Sequence, residues 1–404
     1  MTDVVDTRPP PRLRAPSPGA GRPLRRWLPD ALSATPIWSA LVVILVVGWV
    51  VVSLDGGSFF ASGNLTNILQ RSVALGIVSV GQTVAILAGS LDLSVSYLIS
   101  LSSLIGAETM DGRESMLIPG IALTVAVGAA VGLANGLIIT KLRVNAFIAT
   151  LGMALILRGY IENNYDRPTG AVPESWESFG YSRIGPVPVS IFLFVGVALV
   201  VGLALRRTRW GYHVYAVGGD EQVSVLSGLR THRVVIAAHV ICSVCAALTG
   251  LFLASRLGSG TPRVGTDGGY DLESIAAVVL GGTALAGGRG RVSGTVGAVL
   301  VLAVLDNIFN QLELDPFLKQ AVRGVVIIAA VAIYASRRGR RRAAATGIEA
   351  AAAESMAGPP TAAALVGPAD EAPRSGDGPA PHAGPRPGNG GTAGEAHDGG
   401  GTAS

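Results

Sequence analysis

Lysine is almost missing from this chain: Lys141 and Lys319 are the two lysines in its 404 residues. Neither follows a glycine-rich loop, so a Walker A phosphate cradle is excluded and any dependence on ATP has to be supplied by another chain. Charge of either sign is scarce, 14% of residues against 49% hydrophobic. That balance excludes a water-soluble domain of this size and makes the bilayer the solvent for most of the chain. Cysteine is limited to Cys242 and Cys245 inside one apolar run, a placement that reveals neither a disulfide framework nor a redox compartment. Acids are nearly absent from the apolar runs, with Asp92 the strong exception. An ion-coupled secondary transporter would need more of them to carry protons or sodium, and ranks low. The net charge of +4 comes mostly from arginines beside apolar runs, so it informs topology rather than pointing to nucleic acid as a partner.

What is present is apolar length. A membrane-crossing helix needs about 20 apolar residues, and the middle of the chain divides into about ten such segments. They are Ile37–Leu54, Asn64–Gly89, Leu93–Met110, Leu117–Thr140, Ala146–Tyr160, Val189–Leu205, Val234–Leu257, Asp271–Ala286, Val292–Asn310 and Phe317–Tyr334. Links holding Lys141 with Arg143, the Arg206–Arg233 stretch, Arg289 with Arg291, and Arg337–Arg342 alternate with links carrying acids such as Asp111, Glu162 and Glu313. The positive-inside rule assigns the basic set to the cytoplasm, together with both termini; Arg71 and Arg263 fall on the outer side against it. The predicted fold class is therefore all-α, a polytopic membrane protein of about ten transmembrane helices with both termini cytoplasmic. Residues 1–34, rich in Arg and Pro, read as a disordered cytoplasmic arm rather than a signal peptide. Residues 35–336 form the transmembrane domain, and 337–404 a basic, then Ala/Gly/Pro-rich tail that cannot bury enough surface to order itself.

Within that domain several residues stand out. Gly128, Gly132 and Gly136 repeat every fourth residue, which lets a second helix backbone approach closely. Gly281, Gly282, Gly287, Gly288 and Gly290 crowd a second block, read as a tight inner turn; its spacing fails for a dinucleotide fingerprint and no strand precedes it. Cys242 and Cys245 with His239 could offer three soft ligands, but no fourth is near, and helix packing is the expected role. Asp92, with Ser94 close behind, is either a functional intramembrane acid or the cap of the following helix. Asn135, Asn145, Thr150 and Asn307 are uncharged polar groups near or within spans, suited to a hydroxyl-rich solute or to helix–helix hydrogen bonds. In the 206–233 loop, Gly218 and Gly219 break the chain and Asp220 is a plausible N-cap before Glu221. Val223, Leu226 and Leu229 then follow at helical spacing around the stop at Gly228.

Taken in order, four stretches resemble the membrane permease subunits of bacterial ABC importers for simple sugars, the ribose, xylose and galactose type. They are Leu87–Val95 (LAGSLDLSV), Asn145–Gly152 (NAFIATLG), Tyr215–Leu229 and Tyr270–Gly294, covering roughly residues 37–335 with both tails outside. The sequence departs from the family pattern where Ser90 and Ser96 stand for glycine, Asp220 for asparagine, and Val223–Ser224 for two alanines. The resemblance implies a non-enzymatic transport subunit in a bacterial plasma membrane, with a substrate pathway near Asp92, Ser94, Asn145, Thr150 and Asn307. It implies docking of an ABC ATPase, which would hold the ATP and Mg, on Gly218, Gly219, Asp220, Glu221, Val223, Leu226 and Gly228. An extracytoplasmic sugar-binding protein and a second permease copy complete the expected partners, and no cofactor is expected in this chain. A branched-chain amino acid permease is the nearest alternative; the Asp92–Ser94 segment favours sugar.

Overall fold

The computed structural model describes residues 36–315 together with residues 318, 319, 321, 324 and 325. The expected N-terminal arm, most of the Phe317–Tyr334 segment and the tail lie outside the described residues. Among the described residues the regular structure is helical apart from a small antiparallel hairpin, β1 (Arg183–Ile184) with β2 (Val187–Pro188), and an isolated bridge between Thr169 and Gly260. The helices are α1 (Pro36–Leu54), α2 (Ser62–Leu87), α3 (Val95–Met110), α4 (Leu117–Lys141), α5 (Ala146–Asn164), α6 (Glu174–Tyr181) and α7 (Ser190–Arg207). They continue with α8 (Arg209–Gly219), α9 (Glu221–Leu226), α10 (Thr231–Leu257), α11 (Val264–Asp267), α12 (Tyr270–Leu280) and α13 (Val292–Gln311).

Six of these, α1, α2, α4, α7, α10 and α13, are long and apolar enough to cross a membrane. The others fall short for local reasons. α3 starts at Val95 because the preceding residues form a non-helical loop, and α12 stops at Leu280 rather than continuing to Ala286. Gly281 ends α12, and Gly282 follows with φ +91°, a left-handed value that residues with a Cβ avoid. α5 is 19 residues long, but its last turns carry Arg158, Glu162, Asn163 and Asn164.

The core sits around α2, which is buried at every position from Ser72 to Ala88. A helix enclosed on all sides is apolar on all sides, and this one carries Val, Ile, Leu, Ala and small polar residues accordingly. α10 packs against α2, α3 and α4. The three glycines of α4 face α10: a Cβ on Gly128 would lie 2.7 Å from Ala247 Cβ, on Gly132 2.6 Å from the His239 carbonyl, and on Gly136 2.7 Å from Ile236 Cα. α1, α4 and α7 turn Val42, Val46, Ile118, Leu199 and Val200 outward, as helices facing lipid do. Arg71, one of the two cations against the positive-inside pattern, pairs with Asp306 of α13 at 3.1 Å.

Candidate functional site

The loop from Ala88 to Ser94 joins α2 to α3; Ala88, Ser90, Asp92 and Ser94 are buried, Leu91 and Leu93 are half-buried, and Gly89 is exposed. Gly89 makes it possible: at φ +80° it turns the chain, and the Ser90 N–H reaches back to the Ala85 carbonyl at 3.0 Å. Asp92 follows with no exposure. Its Oδ1 accepts the backbone N–H of Ser94 at 3.0 Å and the Ser94 hydroxyl at 2.6 Å, a turn closed by a side chain two residues back. The carboxylate thus shapes the approach to α3 from outside the helix, since the residue preceding Val95 is Ser94.

The second carboxylate oxygen, Oδ2, faces His239 Nδ1 of α10 at 3.4 Å, across 147 residues of chain. His239 Nε2 meets the Ser90 hydroxyl at 2.7 Å, and Asn135 Nδ2 of α4 donates to Ser94 Oγ at 3.0 Å. An ionised carboxylate only accepts, so Nδ1 is the donor to Asp92, while Nε2 and the Ser90 hydroxyl share the other hydrogen bond. One ring thereby ties the loop at two points. The order Ser90, His239, Asp92 matches that of a hydrolase triad, but Ser90 is 5% exposed and the other two not at all, so the hydroxyl is closed off from solvent. The arrangement holds a loop in place. A buried charge is tolerated where it is paired and hydrogen-bonded, and Asp92 is both.

Spacing sets His239 beside Cys242 and Cys245 on α10, but its ring makes its hydrogen bonds elsewhere. It turns to the Asp92 loop, while Cys242 Sγ donates to Gln82 Oε1 at 3.3 Å and Cys245 packs against Gly81. Its signal was that of any ionisable group within an apolar run. Among the expected pathway residues, Thr150 reaches the loop: its hydroxyl, bonded to the Ala146 carbonyl at 2.9 Å, lies 3.4 Å from the Leu91 carbonyl. Asn145 is exposed and caps α5, accepting the Phe147 N–H at 2.9 Å. Asn307 stands apart from the loop, donating at 2.7 Å to Asn64 in the first turn of α2.

Gly218–Gly219 and the Gly281–Gly290 block meet at the same loop. The Gly288 N–H donates to the Leu87 carbonyl at 3.0 Å, and Gly218, near the end of α8, sits so close that a Cβ there would lie 1.8 Å from that carbonyl oxygen. A Cβ on Gly287 would approach the Gly218 carbonyl to 2.7 Å, and one on Gly288 the Gly219 Cα to 2.5 Å. Gly281 and Gly290 fold the block on itself, against Gly294 and Thr283. Tyr215 adds a hydroxyl bond to the Gly290 carbonyl at 3.2 Å, and burial pushes its phenol pKa up. The end of α8 is thus fastened to the end of α2 by backbone against backbone.

Between α8 and α10 lies α9. Asp220 Oδ1 accepts the Val223 N–H at 3.0 Å as its N-cap, and Gly228 at φ +79° ends it while the Leu229 N–H reaches the Ser224 carbonyl. Asp220→Ala is expected to cost about 1 kcal/mol of local stability, seen as faster amide exchange over Glu221–Leu226 with the rest of the chain unchanged. The helix presents its apolar side chains outward: Val223 and Leu226 are 57% and 87% exposed, whereas Ser224 is buried. Glu221 and Gly228 are exposed as well.

A profile described as the permease component of branched-chain amino acid transport systems matches residues 64–331. The ribose import permease of Escherichia coli K12 is 38% identical over 297 residues, 72% of this chain and 92% of that protein. The chain belongs to the simple-sugar permease family. The L-arabinose transport system permease of the same strain is 33% identical over 299 residues, covering 73% of the chain and 90% of the relative. The galactose/methyl galactoside import permease of Haemophilus influenzae is 31% identical over 323 residues, 75% and 94% respectively. No solved structure matches.

Within this permease the two serines that depart from the family's glycines both bond. Ser90 meets His239, and Ser96 Oγ accepts the Asp271 N–H at 2.8 Å at the start of α12. Ser100 Oγ accepts the Gly265 N–H at 3.0 Å and Ser103 Oγ the Thr261 N–H at 3.1 Å, so a serine stripe along α3 holds the Thr261–Asp271 segment. Spacing of four and three residues on one helix face was the signal that sequence reading passed over.

Proposed function

We propose that this chain is the membrane permease subunit of an ATP-binding-cassette importer that moves a neutral monosaccharide of the ribose, arabinose or galactose kind into a bacterial cytoplasm. The observation that carries the reading is the set of relatives: three monosaccharide permeases, each matched along 90% or more of its length. In this reading about ten helices cross the plasma membrane, counting those outside the described residues, and both termini are cytoplasmic. A partner ATPase binds ATP and Mg and hydrolyses ATP; an extracytoplasmic binding protein delivers the sugar; a second permease copy completes the pathway. Two features of the chain support the motor partner: the lack of a Walker lysine, and an α9 whose apolar side chains face outward. The description of the matched profile favours branched-chain amino acids as the second reading.

Alternating access would run through the contacts around Asp92. ATP binding draws the motors together, α9 moves with them, and the displacement reaches the Ala88–Ser94 loop by two routes, the glycine junction at Gly218 and Gly288 and the imidazole of His239. Uptake of labelled D-ribose, L-arabinose and D-galactose, measured in cells with and without the ATPase, tests the function. Uptake that survives loss of the ATPase, or that leucine displaces, sinks the sugar importer. Leu226→Glu is expected to abolish ATPase co-purification while leaving the permease in the membrane; unchanged co-purification removes α9 from the docking role.

A further inference from the structure

A second polar region lies at the other end of α10 from the docking loop. α10 has 27 residues, a length of about 40 Å at 1.5 Å per residue; His239 lies about a third of the way along it and Arg256 near its end. At that far end α2, α6, α10, α11, α12 and α13 surround a cavity of about 670 Å³, within the roughly 300–1,000 Å³ of small-molecule sites.

The wall of this cavity has the chemistry that recognises vicinal hydroxyls. The Arg71–Asp306 pair offers forked donors beside carboxylate acceptors. Gln70 lines the cavity, is 7% exposed, and its buried Nε2 amide has no hydrogen-bond partner. Tyr181 and Tyr270 add aromatic surface for the C–H face of a sugar ring. The cations are already engaged, Arg71 with Asp306 and Arg256 with the Tyr181 ring at 4.3 Å and the Gly180 carbonyl at 3.1 Å. Asp267 and Glu273 add further carboxylates to the lining, so an anionic ligand finds no uncompensated positive charge there.

We infer that this cavity is a receiving site for a neutral monosaccharide, occupied between release from the binding protein and passage toward the Asp92 loop. Gln70 and the Arg71–Asp306 pair form its hydrogen-bonding wall. The inference rests on the sugar-permease reading and adds a location to it.

Thiol protection tests it on the full chain in membranes. Asn67 is exposed at the cavity wall, and the native Cys242 and Cys245 are buried, so Asn67→Cys gives a membrane-impermeant maleimide one accessible target among the described residues. Leu257→Cys, also exposed and lining the cavity, is the second variant should the first fail to insert. The labelling rate is measured with D-ribose, L-arabinose, D-galactose, L-leucine or no addition. At least one sugar is expected to slow labelling saturably, and Gln70→Ala or Asp306→Asn to remove that protection while labelling without sugar persists. Labelling that no sugar slows, in cells that do take up sugar, overturns the site and leaves the importer reading standing. Protection without uptake supports the site and sinks the importer reading; protection by leucine alone overturns both.

Discussion

His239→Ala is expected to destabilise the permease by about 3–5 kcal/mol, the range for stripping a buried charge of its partner. The two groups are wholly buried, and the imidazole is the one ring facing Asp92 Oδ2 across the loop. Without it, the carboxylate keeps the Ser94 N–H and hydroxyl on Oδ1 and loses its tie to α10. Thermal unfolding of the purified protein in detergent checks this, with sugar uptake measured alongside. Two further variants separate the mechanism from general damage. Ser90→Gly removes one hydroxyl, restores the residue expected from the family pattern, and should cost only about 1 kcal/mol. Asp92→Asn combined with His239→Ala removes the charge as well as its partner and should recover part of the loss. A His239→Ala protein as stable as the parent would show that the pair carries no weight, and the transmission route through the imidazole would go with it.

Gly218→Val and Gly219→Ala are expected to part company although the glycines are adjacent. A Cβ at Gly218 would lie 1.8 Å from the Leu87 carbonyl oxygen and 2.7 Å from the Gly288 nitrogen, and both neighbours are backbone that cannot swing aside. The junction between α8 and α2 has to open, at a cost of about 3 kcal/mol or more. A Cβ at Gly219 meets nothing within 4 Å, so Gly219→Ala should be neutral or stabilise α8 by about 0.5–1 kcal/mol. Membrane yield and melting temperature read both, and ATPase co-purification should be lost only with the first. Equal behaviour of the two variants would mean that the glycine junction does not fasten the docking region to the loop.

Much of the helical order could be read directly from the chain. The apolar runs at Ile37–Leu54 and Val292–Asn310 appear as α1 and α13 within a residue or two, because a run of that length has a single low-energy form in a bilayer. The Asp220 cap and the Gly228 stop were legible for the same reason: their hydrogen bonds reach three to five residues along the chain. α12 was overestimated, since apolar composition continues through Thr283–Ala286 after Gly281 and Gly282 have broken the helix. The pathway set mixed two distances. Asp92, Ser94 and Thr150 converge on one loop, whereas Asn307 bonds to the opposite end of α2.

The sequence by itself determined that this is a membrane protein, that neither of its lysines follows a glycine-rich loop, that a capped charged loop lies between its apolar runs, and that its motifs fall in the order of a sugar permease. These rest on composition, on hydrogen bonds a few residues long and on the order of short motifs. Only the tertiary structure decided what the glycine blocks and the lone intramembrane histidine do. Gly218 meets Leu87, Gly288 meets Gly219, and His239 meets Asp92 across spans of chain where residue type says nothing about partner. Such partners are chosen by which helix faces which, and that follows from packing the whole bundle at once.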